Sequence, residues 1–177
     1  MKRGYHPPLS TTRRALLIRG SDLEFRKLIY RLLVVEERLR HARAYLGRQI
    51  GLSGPQYMLL VSLAYLQGAT GIAVRSLAKD LRVTSAFITG ESRRLIERGL
   101  LAKRPNPQDS RSTLLSVTAA GRRRIEELVP EVRKVNDLFF GGLTKASFRH
   151  AKRFLDQLAD GSAQAISHIA HREARQV

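Results

Sequence analysis

Apolar residues return every three or four positions from Leu23 to Leu46, at Phe25, Leu28, Ile29, Leu32, Val35, Leu39, Ala42 and Leu46. That spacing predicts one long helix with a single buried stripe, ended by Gly47 and Gly51. Its other face carries Arg26, Lys27, Arg31, Arg38 and Arg43, and Ser21 or Asp22 can cap its start. Ser53-Gly54-Pro55 opens a second helix, with Ser as cap and Pro in the first turn, where its missing N–H costs little. The stretch that follows, QYMLLVSLAYLQG, is apolar nearly all round. Residues 51–72 hold no charged side chain in a chain that is 27% charged, which predicts a helix at the centre of the molecule.

From Val74 to Thr118 the pattern changes period. Val74, Leu77, Ala78 and Leu81 give the inner face of a short helix, and Arg82-Val83 gives a turn. Thr84 caps another helix on which Ile88, Ser92 and Leu95 fall inward, while Ser85, Thr89 and Arg93 fall on a second stripe at steps of four. Gly99 stops it. Leu100–Arg104 and Thr113–Val117 are expected as two short strands. Pro105 to Ser112 forms their tip, because two prolines do not suit a paired central strand. Helix, turn, helix and charged hairpin, in that order, predict a mainly α winged helix-turn-helix.

Thr118 caps a further helix, to about Phe140, with Ile125, Leu128, Val132, Val135 and Phe139 on one side and Pro130 expected to bend it. After Gly141-Gly142, Thr144 caps a last helix carrying Phe148, Ala151, Leu155, Leu158, Ile166 and Ile169. The first and last helices are apolar on one side and far apart in sequence, so each needs a surface to cover it: a second copy, or each other.

Charge narrows the choice of partner. Thirty-two Lys and Arg stand against 15 Asp and Glu, a net charge of +17, which points to a polyanion: nucleic acid first, an acidic membrane surface second. Arg heavily outnumbers Lys, favouring phosphate and base-edge recognition through the guanidinium fork. Residues 1–20 carry five basic residues and no acid, with Pro7-Pro8, and are expected as a mobile basic arm or a tail without a role. There is no cysteine, hence no thiolate nucleophile and no Cys-based zinc site. No apolar run is long enough for a membrane span or a signal-peptide core, and a cytoplasmic location is expected.

The hairpin RPNPQDSRSTLLSVTAAG resembles that of the MarR family of bacterial transcriptional regulators. It has Asp109, Arg111, an apolar–Thr pair at Val117-Thr118, and Gly121 after two further residues. Leu52-Ser53-x-x-Gln56-Tyr57-x-x-Leu60 is similar to the family's second-helix signature, and Gly99-Leu100 to the end of its recognition helix. The resemblance runs from about Asp22 to about Ala170. It implies one MarR-type domain over 21–177, with the winged helix-turn-helix at about 52–118 and dimerisation helices at about 22–47 and 119–171. It further implies a homodimer bound to a pseudo-palindrome in double-stranded DNA.

On that resemblance Arg111 enters the minor groove and Asp109 orients it. The recognition helix lies in the major groove, with Thr84, Ser85 and Thr89 on phosphates or base edges and Arg93 forked onto a guanine. Arg75, Arg94 and Lys103 fit phosphate contacts that set position without reading sequence. Gly90, beside the stripe of Ser85, Thr89 and Arg93, is the tenth candidate contact, although many family members carry a basic residue there, and Glu91 and Ser92 are polar where apolar residues are usual.

The resemblance also implies a small-molecule effector, often an aromatic or phenolic anion. Arg38, His41 and Tyr45 share one helix face and Tyr57 begins the next helix, a set that would suit an aromatic carboxylate, with ordinary surface and interface roles as the alternative. His168, His171 and Glu173 have a helical metal-binding spacing but no further ligands near them. No nucleophile elbow, organised triad or phosphate loop is present, so no enzyme, cofactor or metal is expected. A basic architectural or RNA-binding protein that reads no sequence remains the alternative.

Overall fold

A computed structural model describes residue 5 and residues 7–175 of the chain. Its elements run α1 (Leu23–Gln49), α2 (Gly54–Leu66), β1 (Ile72–Ala73), α3 (Val74–Leu81), α4 (Ser85–Glu97), β2 (Leu101–Asn106), β3 (Asp109–Val117), α5 (Ala119–Phe140) and α6 (Lys145–Glu173). It divides into two compact units, up to Val132 and from Arg133, so the boundary falls inside α5.

In the first unit α2 is the hub. Ser53 Oγ accepts from Gln56 N–H while Gln56 Oε1 accepts from Ser53 N–H, a reciprocal cap that fixes the helix start. Leu59, Leu60 and Leu63 are fully buried, with Leu77 of α3, Ile88 and Leu95 of α4, and Leu101 and Leu115 of the sheet. Each such side chain contributes roughly 1.5–3 kcal/mol on burial. Gln67, just past α2, accepts a 2.7 Å bond from Val117 N–H and ties the helix end to β3.

The helix-turn-helix forms as its pattern predicts. Val83 N–H returns to Ala78 O, Arg82 takes the left-handed conformation (φ 55°), and Thr84 Oγ1 caps α4 by accepting from Phe87 N–H. Ile88, Ser92 and Leu95 are buried as expected, and Gly99 turns the chain at φ +69°.

The hairpin departs from its expectation. β2 runs through Pro105 to Asn106 and β3 begins at Asp109, leaving only Pro107 and Gln108 as the turn. β2 is an edge strand in a sheet ordered β1-β3-β2, so a residue without an N–H is tolerated there. The register also shifts between Pro105 and Asn106. Sequence periodicity missed β1 altogether, since two residues have no period; pairing of Ile72 with Leu115 and Ala73 with Leu114 defines it.

Within the segment expected as a mobile arm, Pro8 and Ser10 are bonded to the start of α1. Asp22 is buried and accepts from Ser10 N–H (2.7 Å), Ser10 Oγ–H (2.6 Å) and Arg26 Nε–H (3.0 Å), while Arg26 also donates to Pro8 O. Those bonds, led by the Ser10 hydroxyl, hold the Asp22 carboxyl well below the usual carboxylate range. Lys2 and Arg3 of the arm lie outside the described residues.

In the second unit Thr144 and Ser147 cap α6 reciprocally. The helix runs unbroken through Gly161 and has no buried residue.

Candidate nucleic-acid interface

The outer face of α4 and the inner face of the hairpin enclose an open cleft of about 900 Å³. α4 contributes Ser85, Thr89 and Arg93 to its wall, the stripe at steps of four. α3 adds Arg75, and the hairpin adds Lys103, Asp109 and Arg111. Seven of the ten candidate contacts are thus brought to one concave surface. Thr84 is spent on the helix cap, and Gly90 and Arg94 lie outside the cleft lining.

The hairpin tip is held by its own side chains. Asn106 Oδ1 accepts from Gln108 N–H, Asn106 Nδ2 donates to Ser112 Oγ, and Ser112 Oγ–H donates to Asp109 O. Asp109 Oδ1 accepts from the backbone N–H of Arg111 at 3.0 Å, so it orients Arg111 through the main chain. The Arg111 side chain is exposed. At the base, Thr118 Oγ1 donates to Gly99 O (2.7 Å) and accepts from Gly121 N–H (3.0 Å).

On α4, Ser92 is buried and donates to Thr89 O, so its polarity is absorbed by the helix itself. Glu91 pairs with Arg94 at 3.6 Å with its side chain only 18% exposed. A side chain at Gly90 would meet nothing within 4 Å, so that position contributes bare backbone to an open surface. Glu97 was missed by sequence reasoning although it lies one further step of four along the stripe; it lines the cleft and approaches Arg93 at 3.7 Å.

Of the proposed effector residues, Arg38 and His41 are exposed, and Tyr57 is buried in the core, where burial pushes its phenol up. Tyr45 donates to Glu131 Oε1 at 2.9 Å, a bond that raises its phenol as well. A neighbouring cavity of about 360 Å³ is lined instead by Arg40, Arg43, Ala44, Pro55, Met58 and Phe87, with Gly54. Among the described residues no group of three or more His, Asp or Glu could hold a metal ion, and no helix is long and apolar enough to cross a membrane.

Three helices, a three-stranded sheet and a basic cleft between helix and hairpin define a winged helix-turn-helix DNA-binding protein. Comparison with known proteins adds to this. Residues 52–113, from α2 into the hairpin, match the model of the MarR family. The chain is 29% identical over 99 residues to the HTH-type transcriptional regulator YdcH of Bacillus subtilis strain 168, covering 55% of this chain and 67% of that protein. It is 30% identical over 111 residues to the transcriptional activatory protein BadR of Rhodopseudomonas palustris, covering 62% of this chain and 63% of that one. The match therefore spans about two thirds of the first relative and slightly less of the second. Among solved structures, CouR from Rhodococcus jostii RHA1 bound to p-coumaroyl-CoA superposes with a TM-score of 0.67 at 26% identity, over 75% of this chain and 91% of CouR.

Proposed function

We propose that the protein is a sequence-specific repressor that binds a pseudo-palindromic operator as a homodimer and is released by a small acidic ligand. The observation that carries the DNA half is the cleft: residues chosen by helical spacing and residues chosen by the hairpin motif line one basic surface. α4 enters the major groove with Ser85, Thr89 and Arg93 toward base edges, and Arg111 reaches the adjoining minor groove. Half-sites lie about one helical turn apart. Arg111→Ala lowers affinity for the protein's own promoter region about tenfold or more and flattens the salt slope by about one, with helicity and self-association unchanged. Fluorescence anisotropy across a salt series measures both; an unchanged affinity removes the hairpin from the interface. Repression itself is read from a promoter fusion, where activation would reverse the sign.

The net charge of +17 favours a second reading, in which the protein coats nucleic acid without reading it. Competition decides, since a specific regulator prefers its operator over bulk DNA by roughly 10³ or more.

For the ligand, the support is CouR's bound thioester and a cavity of suitable size between α1, α2 and Phe87 of α4. Arg43 projects into walls that are otherwise largely apolar, and its hydrogen-bond partner is the Met58 thioether at 3.9 Å, a weak acceptor that leaves the cation to an incoming carboxylate or phosphate. A thermal-shift screen of aromatic acids and their thioesters tests this. The expected compound raises the melting temperature, releases DNA, and does neither in Arg43→Gln; equal responses in the variant place the ligand elsewhere.

A further inference from the structure

The outward stripe of α4 does not stop at Arg93. Ser85, Thr89 and Arg93 recur at steps of four, and the next step is Glu97, the last residue of the helix. Its carboxylate lines the same cleft, with Oε1 3.7 Å from Arg93 Nε and the two side chains 63% and 77% exposed. Glu97 is one of two acids in the lining, and unlike Asp109, whose carboxylate accepts from the Arg111 N–H, it has no backbone N–H bond to explain it among those described. The cleft also holds Arg75, Lys103 and Arg111, and a carboxylate on a surface that meets phosphates weakens the attraction on which non-specific binding depends. Helix stability does not explain it either, because exposed pairs of this spacing contribute little.

The placement of the carboxylate offers a reason. It lies on the Nε side of the guanidinium, beyond hydrogen-bonding distance, and an ion pair on that side leaves the two Nη groups free to fork onto a neighbouring base. It also compensates the charge that would otherwise draw Arg93 onto the nearest phosphate. Arg94 is placed differently: its partner Glu91 is largely covered, and neither residue lines the cleft.

We propose that Glu97 is a specificity-determining residue that acts through Arg93, presenting its Nη edge to a guanine's O6 and N7 and holding it back from the sugar–phosphate backbone. This rests on the DNA-binding function above. The substitution Glu97→Gln keeps size and removes charge, freeing Arg93 to bind any phosphate in reach.

The test uses the full chain and two probes: a duplex enriched by the wild-type protein from a randomised pool, and a mixed-sequence duplex of equal length. In E97Q, binding to the mixed duplex tightens about tenfold and its salt slope steepens by about one, while binding to the enriched duplex changes little. The preference between the two falls accordingly, at an unchanged melting temperature. In R93Q the preference is already reduced, and adding E97Q reduces it no further. Charge effects not routed through Arg93 alter both duplexes alike and cancel in the ratio. An E97Q preference equal to wild type, or a further drop in R93Q/E97Q, overturns the role of Glu97. If the wild-type protein enriches no sequence from the pool, the base-reading function itself fails, and the role of Glu97 with it.

Discussion

α2 and α6 are both rich in apolar residues, and the chain treats them in opposite ways. In α2, Leu59, Leu60 and Leu63 are fully covered by their own chain. In α6, no residue of 29 is buried, and Leu155 and Ile166 are 55% and 64% exposed. The difference lies in patterning. α2 is apolar on nearly every side, as a helix at the centre of a domain must be. α6 carries one stripe, which one more surface would cover; Ile29, Tyr30, Leu33, Val34 and Val35 of α1 are exposed as well. Stability of the winged part is thus intrinsic to one chain. The long stripes fit a second copy, as the proposed homodimer supplies.

Substitutions break or sharpen that contrast. The largest effect belongs to α2: Leu63→Ala costs roughly 2–5 kcal/mol in urea unfolding, and the loss is the same at every protein concentration. A concentration-dependent loss would mean that the core is shared between copies. Ile166→Glu in α6 gives the converse. Self-association, measured by sedimentation, weakens by roughly 2–3 kcal/mol, while unfolding of the dilute chain is nearly unchanged. If the variant associates like wild type, the α6 stripe is not the dimer surface.

The smallest effect is at the start of α1, where the contact again lies within one chain. The folded Asp22 carboxyl is held below its unfolded range near 4, so its stabilisation is fully present above about pH 4. It is lost as pH falls through the lower folded value. Ser10→Ala removes the leading cause and moves the folded value up toward the ordinary one. The variant is therefore slightly less stable than wild type at neutral pH, and the two converge in acid. A carboxyl titration by NMR that finds Asp22 unmoved in the variant refutes the strap.

Most of the helical framework was legible because its signals are local: a cap such as Ser53 or Thr84, a period, a closing glycine. The recognition face was legible for the same reason, since Ser85, Thr89 and Arg93 need only a helix to align them. Glu97 obeys the same spacing, one further step of four along the helix, and was not singled out from the sequence. Long-range features were not legible. β1 exists only because β3 pairs with it, and Pro105 is tolerated only because β2 lies at the edge of the sheet. For an effector site, a helix period says which residues share a face, not what stands opposite. The cavity beside Arg43 is completed by Met58 and Phe87, from two other helices, which no period of α1 could indicate.

Gly121 sits where α5 leaves the hairpin. A methyl group there would come within 2.3 Å of Leu100 O and 2.8 Å of a Val117 methyl, and Thr118 binds the carbonyl of Gly99 beside it. Any side chain at 121 would have to push α5 away from the carbonyl of Leu100 and the side chain of Val117. The closeness of α5 to the base of the hairpin is therefore set by an atom the chain leaves out.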